Sequence, residues 1–479
     1  MNVPQRIAKN VSILFLSQMV GYVLGFFTLM YSARYLGVEG FGIISFALAF
    51  TGIFTVLMDL GLNTLTIREV ARNKTLAQKY IANITLIKLL LSLTTFCLIF
   101  LIINIFGYDS QTMSVVYVIA LYAILTTFSQ LFYSVFQAHE KMEYQSLGYI
   151  INSSLLLLGV LIAINYELNI YHFSMIYAIV GSFILVYALF IFVWKFNFPQ
   201  IEFNWKIWKS LIKESWPFAV TSISVNLYLW IDTILLSVLQ GPEAVGLYNA
   251  AYKLILVLLF IPIVFNSALF PLMSQYFVSS KESLKVIFDK LFKTMVLIGF
   301  PIGMGTLIIA DKIILLVYGD QFLGSIIALQ ILIWSTVLIF IRSPLERLLE
   351  SSNKQLSVTK IFILGAIFNT ILNIIFIPKF SYVGAAIITI LTDIIVFGLL
   401  IFTVKRNSGI IFSKGTKISI IKIIVASFVM TFIINQFNYL NIFLLIILGV
   451  IIYVILLLLM QIFDDDEIIM IRSIFKRGS

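Results

Sequence analysis

The sequence predicts an all-α polytopic membrane protein of fourteen transmembrane helices, and three observations predict it. Apolar residues make up 61% of the chain and charged residues only 11%, against roughly 25% charge in soluble domains. Fourteen runs are apolar for about 17 residues or more, the length that crosses a hydrocarbon core as a helix. The chain also repeats itself at a spacing of 204 residues: Gly37-Val-Glu39-Gly-Phe-Gly42 joins the first and second runs, and Gly241-Pro-Glu243-Ala-Val-Gly246 stands between the seventh and eighth.

In chain order the expected spans are 11–31, 41–60, 80–105, 113–137, 146–164, 172–194, 216–238, 246–277, 291–309, 321–341, 357–377, 381–402, 418–436 and 439–461. The first is too long and uninterrupted for a cleaved signal peptide and lacks a small-residue cleavage site, so it is expected to stay. The eighth is over-long, and Pro262 and Pro271 predict a kink or an interfacial end rather than an extra crossing. None shows the alternation of a membrane barrel strand. Cys97, the single cysteine, lies inside the third run and is expected to pack there; no disulfide framework exists.

The formal charge of +10 follows topology. Lys and Arg gather in alternate loops: Arg6 and Lys9; Arg68, Arg72, Lys74 and Lys79; Lys195 to Lys213; Lys281 to Lys293; Arg342, Arg347 and Lys354; Lys405 to Lys417; Arg472, Lys476 and Arg477. The intervening loops hold only Arg34, Lys312 and Lys379. The positive-inside rule then puts both termini in the cytoplasm, which requires an even number of spans. The basic excess is accounted for by orientation and by contact with anionic lipid heads, not nucleic acid.

Three parts are expected: 1–200 with spans one to six, 201–404 with a connector and spans seven to twelve, and 405–479 with the last pair and a cytoplasmic tail. The polar segment Lys195 to Glu214, with Trp205 and Trp208 among its lysines, has the composition of an interfacial amphipathic connector. Asp464 to Glu467 is expected to be a solvated tail, since nothing holds those carboxylates in a metal cage.

The short outer loops leave no room for an extramembrane catalytic domain. The histidines are only His139 and His172, both near helix ends, and there is no paired-His metal spacing, phosphate-cradling loop or nucleophile with a base. An enzyme, a metal and a cofactor are therefore not expected. Two similar six-helix halves instead suit a transporter that rocks one half against the other.

Ionisable side chains inside a bilayer are costly and tend to face a cavity or a partner. Asp232 and Lys253 each lie about seven or eight residues below the outer ends of spans seven and eight, roughly 10–12 Å deep at 1.5 Å per residue. Their equivalents in the first repeat are the uncharged Thr28 and Ala49. Two readings stand: a structural ion pair, or a coupling site in which Lys253 meets a phosphate as a point charge and Asp232 exchanges a proton or sodium ion. Lys88 in span three, with Asp59 at the inner end of span two as a neutraliser, either snorkels or faces a cavity. Lys360 and Asp393 carry the same ambiguity. Asn226, Asn249, Tyr252, Asn152, Asn369 and Asn373 either hydrogen-bond sugar hydroxyls or join helices. Arg34 and Glu39 at the outer turn, and Arg68 and Arg72 at the inner one, suit helix capping and topology.

Several of these segments form a recognisable pattern. Tyr31-Ser-Ala-Arg34-Tyr-Leu-Gly37-Val-Glu39-Gly-Phe-Gly42, Asp59-Leu-Gly-Leu-Asn63 and Arg68-Glu69-Val-Ala-Arg72 open the chain. Gly241 to Lys253, with its Tyr248-Asn249-Ala-Ala-Tyr252 core, Tyr318-Gly319-Asp320-Gln-Phe322 and Tyr382-Val-Gly384-Ala-Ala follow in the second half. In this order the chain resembles the Wzx-type polysaccharide and oligosaccharide flippases of the multidrug, oligosaccharidyl-lipid and polysaccharide exporter superfamily. The resemblance implies two six-helix lobes in a V plus a C-terminal pair, and an alternating-access monomer in the inner membrane. It implies a polyprenyl-phosphate- or pyrophosphate-linked glycan cargo moved from the cytoplasmic to the outer leaflet, proton or sodium coupling, and glycan-assembly enzymes nearby. It also offers Arg34, Glu39, Arg68 and Arg72 as gates. Lipid II flippases of the superfamily carry arginines in the first span, where this chain has the uncharged Ser17-Gln18-Met-Val-Gly21. Multidrug antiporters, the other alternative, commonly stop at twelve spans.

Overall fold

Residues 3–196, 205–408 and 412–462 are described by the structure, a computed structural model. The acidic run Asp464 to Glu467, the last basic cluster and positions 197–204 of the connector lie outside them.

Twelve helices among the described residues are long and apolar enough to cross a membrane. Two are far too long for one crossing: Val3–Asp59 has 57 residues and Gln355–Ser408 has 54, each about 80 Å at 1.5 Å per residue against a core of about 30 Å. Both break where one residue leaves helical geometry, at Gly37 (φ 68°, ψ −175°) and at Ser381 (φ 49°, ψ −140°). Each is thus two spans, and the fourteen crossings are present.

Spans one and two are 3–36 and 38–59, followed by the short helix Leu62–Arg72. Spans three to six are Ala77–Ile105, Ser110–Ala138, Met142–Asn165 and Ile170–Phe196. Span seven is the C-terminal part of Trp205–Gln240, Ser222–Gln240, and span eight is broken into Pro242–Leu258 and Phe260–Ser279. Spans nine and ten are Lys281–Val317 and Ser325–Ser351, eleven and twelve are 355–380 and 382–408, and the last pair is Lys414–Gln436 and Ile442–Leu459.

The chain forms two compact units, residues 1–249 with 373–381, and 250–372 with 382–479. In the first, Phe46, Phe50, Ile81, Val115, Ile119, Phe136 and Phe173 are buried. In the second, Phe288, Met295, Phe340, Leu348, Val396, Leu400, Ile423 and Met430 share one core. The last helix pair belongs to that core: Tyr453 donates to the Leu297 carbonyl at 2.8 Å, and Ile423, Met430 and Ile434 are buried in it. Leu93, Phe183, Phe190, Phe402 and Phe432 stand exposed on the outside of these spans, as side chains facing lipid do.

Three expectations change. Residues 205–214 of the connector are the first turns of the span-seven helix, whose Trp208, Leu211, Ser215 and Ala219 form a buried stripe at helical spacing. Trp208 Nε1 is anchored on Asn83 Oδ1 at 3.0 Å. The kink expected in span eight is present at Leu259, three residues before Pro262, while Pro271 lies inside the second segment. Span ten continues to Ser351, so Arg342 and Arg347, assigned to a loop by their charge, lie in the helix. Cys97 is exposed rather than packed.

Candidate substrate and coupling residues

The repeated turns are built from glycine for two separate reasons. Gly37 and Gly241 have φ of 68° and 86°, conformations that a side chain resists. Gly42 and Gly246 have no room for one: a Cβ on residue 42 would lie 1.9 Å from the Pro242 carbonyl oxygen, and one on residue 246 would lie 2.1 Å from the Val38 oxygen. The two repeats therefore meet reciprocally, each glycine against the other turn's backbone. Glu39 and Glu243, also 204 residues apart, line a cavity of about 360 Å³ at this junction with Val38, Gln240 and Pro242. Arg34 is exposed one turn earlier.

The contact runs down span two, where Gly52 faces Trp230 and Gly61 faces Ser215 and Phe218 of the span-seven helix. Arg68 reaches the same helix through Glu214 at 3.0 Å, while Glu69 accepts from Arg68 at 2.6 Å and from Arg72 at 3.0 Å. Arg68, Arg72 and Glu214 are well exposed, so each such pair contributes little to stability. Together they can still fasten that turn to the span-seven helix reversibly.

The Asp59-Leu-Gly-Leu-Asn63 segment wraps around a buried ammonium. Leu60 and Gly61 take φ of 45° and 78°, turning the chain so that both polar ends of the motif meet Lys88. Lys88 Nζ lies 2.7 Å from Asp59 Oδ1, 2.9 Å from Asn63 Oδ1 and 3.1 Å from the Thr127 carbonyl, with its side chain 0% exposed. An ammonium has three donors, and all three are used. Lys88 thus ties spans two, three and four together.

Asp232 is arranged differently. Tyr248 donates to its Oδ2 at 2.8 Å and Asn373 Nδ2 to its Oδ1 at 2.6 Å, and all three residues are buried. The next residues along, Thr233 and Asn249, also join spans seven and eight, at 3.2 Å. The phenol and the amide are neutral donors, and a carboxylate can also take up a proton or a small cation. Asn373 and Tyr248 were not foreseen as its ligands.

The other candidates are dispersed. Lys253 is partly buried and Tyr252 buried, both in the second unit. Asn226 bonds the Ser222 carbonyl of its own helix at 2.9 Å. Asn249 is held by Thr233 and by the Val245 carbonyl. Lys360 is exposed on span eleven, whereas Asp393 is fully buried, accepts a hydrogen bond from Ser335, and lies 3.8 Å from Arg342. Among the described residues no group of three metal-binding side chains converges. His139 and His172 sit at helix ends, bonded to Val135 and Asn169.

Residues 7–277 match the family described as "Polysaccharide biosynthesis protein", and residues 217–375 match the family described as MatE. "Probable low-salt glycan biosynthesis flippase Agl15" of Haloferax volcanii is 25% identical over 394 residues, 81% of each chain. "Capsular polysaccharide biosynthesis protein CapF" of Staphylococcus aureus is 24% identical over 388 residues, covering 79% of this chain and 94% of its own. Among solved structures, "Lipid II flippase MurJ, inward closed conformation" superposes with a TM-score of 0.77 over 93% of this chain and 98% of that one; at 18% identity this is a shared fold.

Proposed function

Because the chain belongs to the polysaccharide biosynthesis protein family, we propose that it is a flippase that moves a polyprenyl-phosphate- or pyrophosphate-linked oligosaccharide from the cytoplasmic to the outer leaflet. The observation that carries the mechanism is the reciprocal backbone contact between the Gly37–Gly42 and Gly241–Gly246 turns. Two repeat-related turns that close on each other at one end of spans one, two, seven and eight form a gate, and a gate at one face is half of alternating access. Glu39 and Arg34 stand at that gate, and Arg68 and Arg72 at the opposite turn. Relatives named for glycan flipping and capsular polysaccharide supply the cargo class. Asp232 is the coupling residue of this reading, taking up a proton or sodium ion, and Lys253 meets the carrier phosphate. No covalent chemistry is required of the chain.

On this reading the protein is a monomer in the cytoplasmic membrane, with the turns near Arg72, Lys206, Lys285, Arg347 and Lys414 facing the cytoplasm, close to the enzymes that assemble the glycan. Impermeant labelling of single cysteines in a Cys97-free protein checks the orientation: a probe outside the cell should modify residue 243 and spare residue 206, and the reverse would invert it. Deleting the gene should leave lipid-linked oligosaccharide on the cytoplasmic leaflet and deplete the matching surface glycan. The MatE match over 217–375 favours a second reading, a multidrug or cation antiporter. Normal surface glycans in the deletion strain, together with new drug sensitivity, would select it.

A further inference from the structure

The end of the first unit that holds the Arg68 turn carries a face that the cargo reading does not use. The chain has six tryptophans. Three of them, Trp194, Trp205 and Trp216, stand 62%, 66% and 60% exposed, while Trp208, Trp230 and Trp334 are buried or half-buried. Trp194 ends span six, with Lys195 Nζ 3.6 Å from its ring centre. Trp205 and Trp216 lie on the helix that leads into span seven, and Lys209 and Ile212 between them are also exposed. Positions i, i+4, i+7 and i+11 share one face of a helix, so two indoles, an isoleucine and an ammonium form one stripe, with the exposed Lys213 beside it. Trp208, Leu211, Ser215 and Ala219, on another face, are the buried stripe.

Contacts fix the depth of this face. Gln78 of span three donates to the Phe196 carbonyl at 3.0 Å, and Asn83, one turn on, accepts from Trp208 Nε1 at 3.0 Å. The end of span six and the start of the span-seven helix therefore meet span three at nearly one level. From Asn83 to the far end of span three at Ile105 the helix rises about 33 Å at 1.5 Å per residue, one hydrocarbon thickness. Trp205 and Trp216 lie within eight residues of Trp208, so both stand within about 12 Å of a membrane boundary. There an indole keeps its ring in apolar surroundings and its N–H in water. Among residues 205–216 the single carboxylate, Glu214, lies on the far side of the helix from the stripe and reaches Arg68 at 3.0 Å.

We propose that this face binds the headgroups of anionic phospholipids in the leaflet next to the Arg68 turn, the cytoplasmic leaflet in the orientation given above. Lys209 and Lys213 meet the headgroup phosphates as point charges, and Trp205, Ile212 and Trp216 lie among the glycerol and upper acyl segments. A zwitterionic headgroup brings its own cation to the lysines and gains little, whereas an anionic one does not, so the face selects by charge. Because Glu214 of the same helix holds Arg68, a lipid seated here steadies the helix from one side while the Arg68 turn holds it from the other. The proposal concerns the membrane around the protein and does not depend on which cargo is carried.

The test is quenching of tryptophan fluorescence in the purified full-length protein, reconstituted in phosphatidylcholine bilayers that contain either brominated phosphatidylglycerol or brominated phosphatidylcholine. Wild-type protein should be quenched at a lower fraction of the brominated phosphatidylglycerol, and the difference should shrink as salt is raised. W205F/W216F should lose most of that difference. K209Q/K213Q, whose altered side chains are both exposed, should keep its size-exclusion profile and its quenching by both lipids, and its preference should fall by about fivefold per lysine removed. Equal quenching by the two lipids in wild-type protein, decisive even if a variant fails to fold, would overturn the proposal, as would an unchanged preference in either double variant. Trp205 and Trp216 that neither lipid quenches would also overturn it, and would point to a protein partner covering the face.

Discussion

Lys88 and Arg342 are both buried cations in long helices, yet their surroundings differ in one decisive respect. Lys88 has three donors and three acceptors, of which one is charged. Arg342 stands between two carboxylates, Glu346 and Asp393. Closing every valence around one charge makes a joint that resists rearrangement, because opening it strands buried polar groups. Two carboxylates that share one guanidinium at 3.5 and 3.8 Å hold it more loosely. Burial of an ionisable group therefore does not by itself say how firmly it is held; the distances to its partners do.

The comparison breaks first at Lys88. Lys88→Met should strand Asp59, Asn63 and the Thr127 carbonyl and cost about 3–5 kcal/mol, seen as a large fall in the unfolding midpoint in detergent. Adding Asp59→Asn should recover part of it. E346Q, which gives up a 3.5 Å contact and keeps an acceptor, should cost about 1 kcal/mol. Equal losses from the two variants would remove the distinction between the short contacts and the long ones.

Gly42→Ala should come next. Its Cβ meets a carbonyl oxygen rather than a movable side chain, so the turns must separate, at about 1–3 kcal/mol of overpacking. Disulfide formation between E39C and E243C in a Cys97-free background should slow markedly in this variant, and an unchanged rate would mean that the turns do not close as described. Asp232→Asn should change stability by only about 1 kcal/mol while abolishing transport in cells, measured as surface glycan. Wild-type glycan levels in D232N would remove Asp232 from the coupling role.

The smallest effect is expected at Asp109, the exposed cap of span four, whose Oδ2 accepts from the Thr112 N–H at 3.1 Å. Partial burial pushes its carboxyl up, but the Thr112 hydroxyl and backbone N–H bonds outweigh this and hold it below the ordinary carboxylate range. A depressed folded value means that the stabilisation is present above the unfolded pKa, about 3.9, and is lost as pH falls through the folded one. Asp109→Ala should cost about 1 kcal/mol at neutral pH. The gap in unfolding midpoint between wild type and D109A should then narrow in acid; a gap that widens would contradict the cap.

The fourteen spans and the 204-residue repeat were legible because both are patterns of apolar length and of glycine, and the two hairpins Gly37–Gly42 and Gly241–Gly246 reproduce the spacing in three dimensions. The Asp59–Lys88 pair was also legible, since two opposite charges near one membrane face are drawn together. Arg342 was not, because a basic residue at the end of an apolar run is indistinguishable by composition from a loop charge. Asn373 as a ligand of Asp232 was not either: 141 residues separate them, and no local spacing carries that information. Cys97 was misplaced because an apolar run does not say which of its faces meets protein and which meets lipid.

The measurement that bears most directly on the whole account is leaflet-resolved transport by the purified protein. Vesicles carrying a polyprenyl-pyrophosphate-linked oligosaccharide in one leaflet, probed by a membrane-impermeant glycosidase, should expose the glycan on the opposite leaflet only when the wild-type protein is present, and D232N should abolish that movement. Glycan that stays in its original leaflet with folded wild-type protein, alongside ion-driven uptake of a cationic drug by the same vesicles, would contradict the flippase and leave the antiporter.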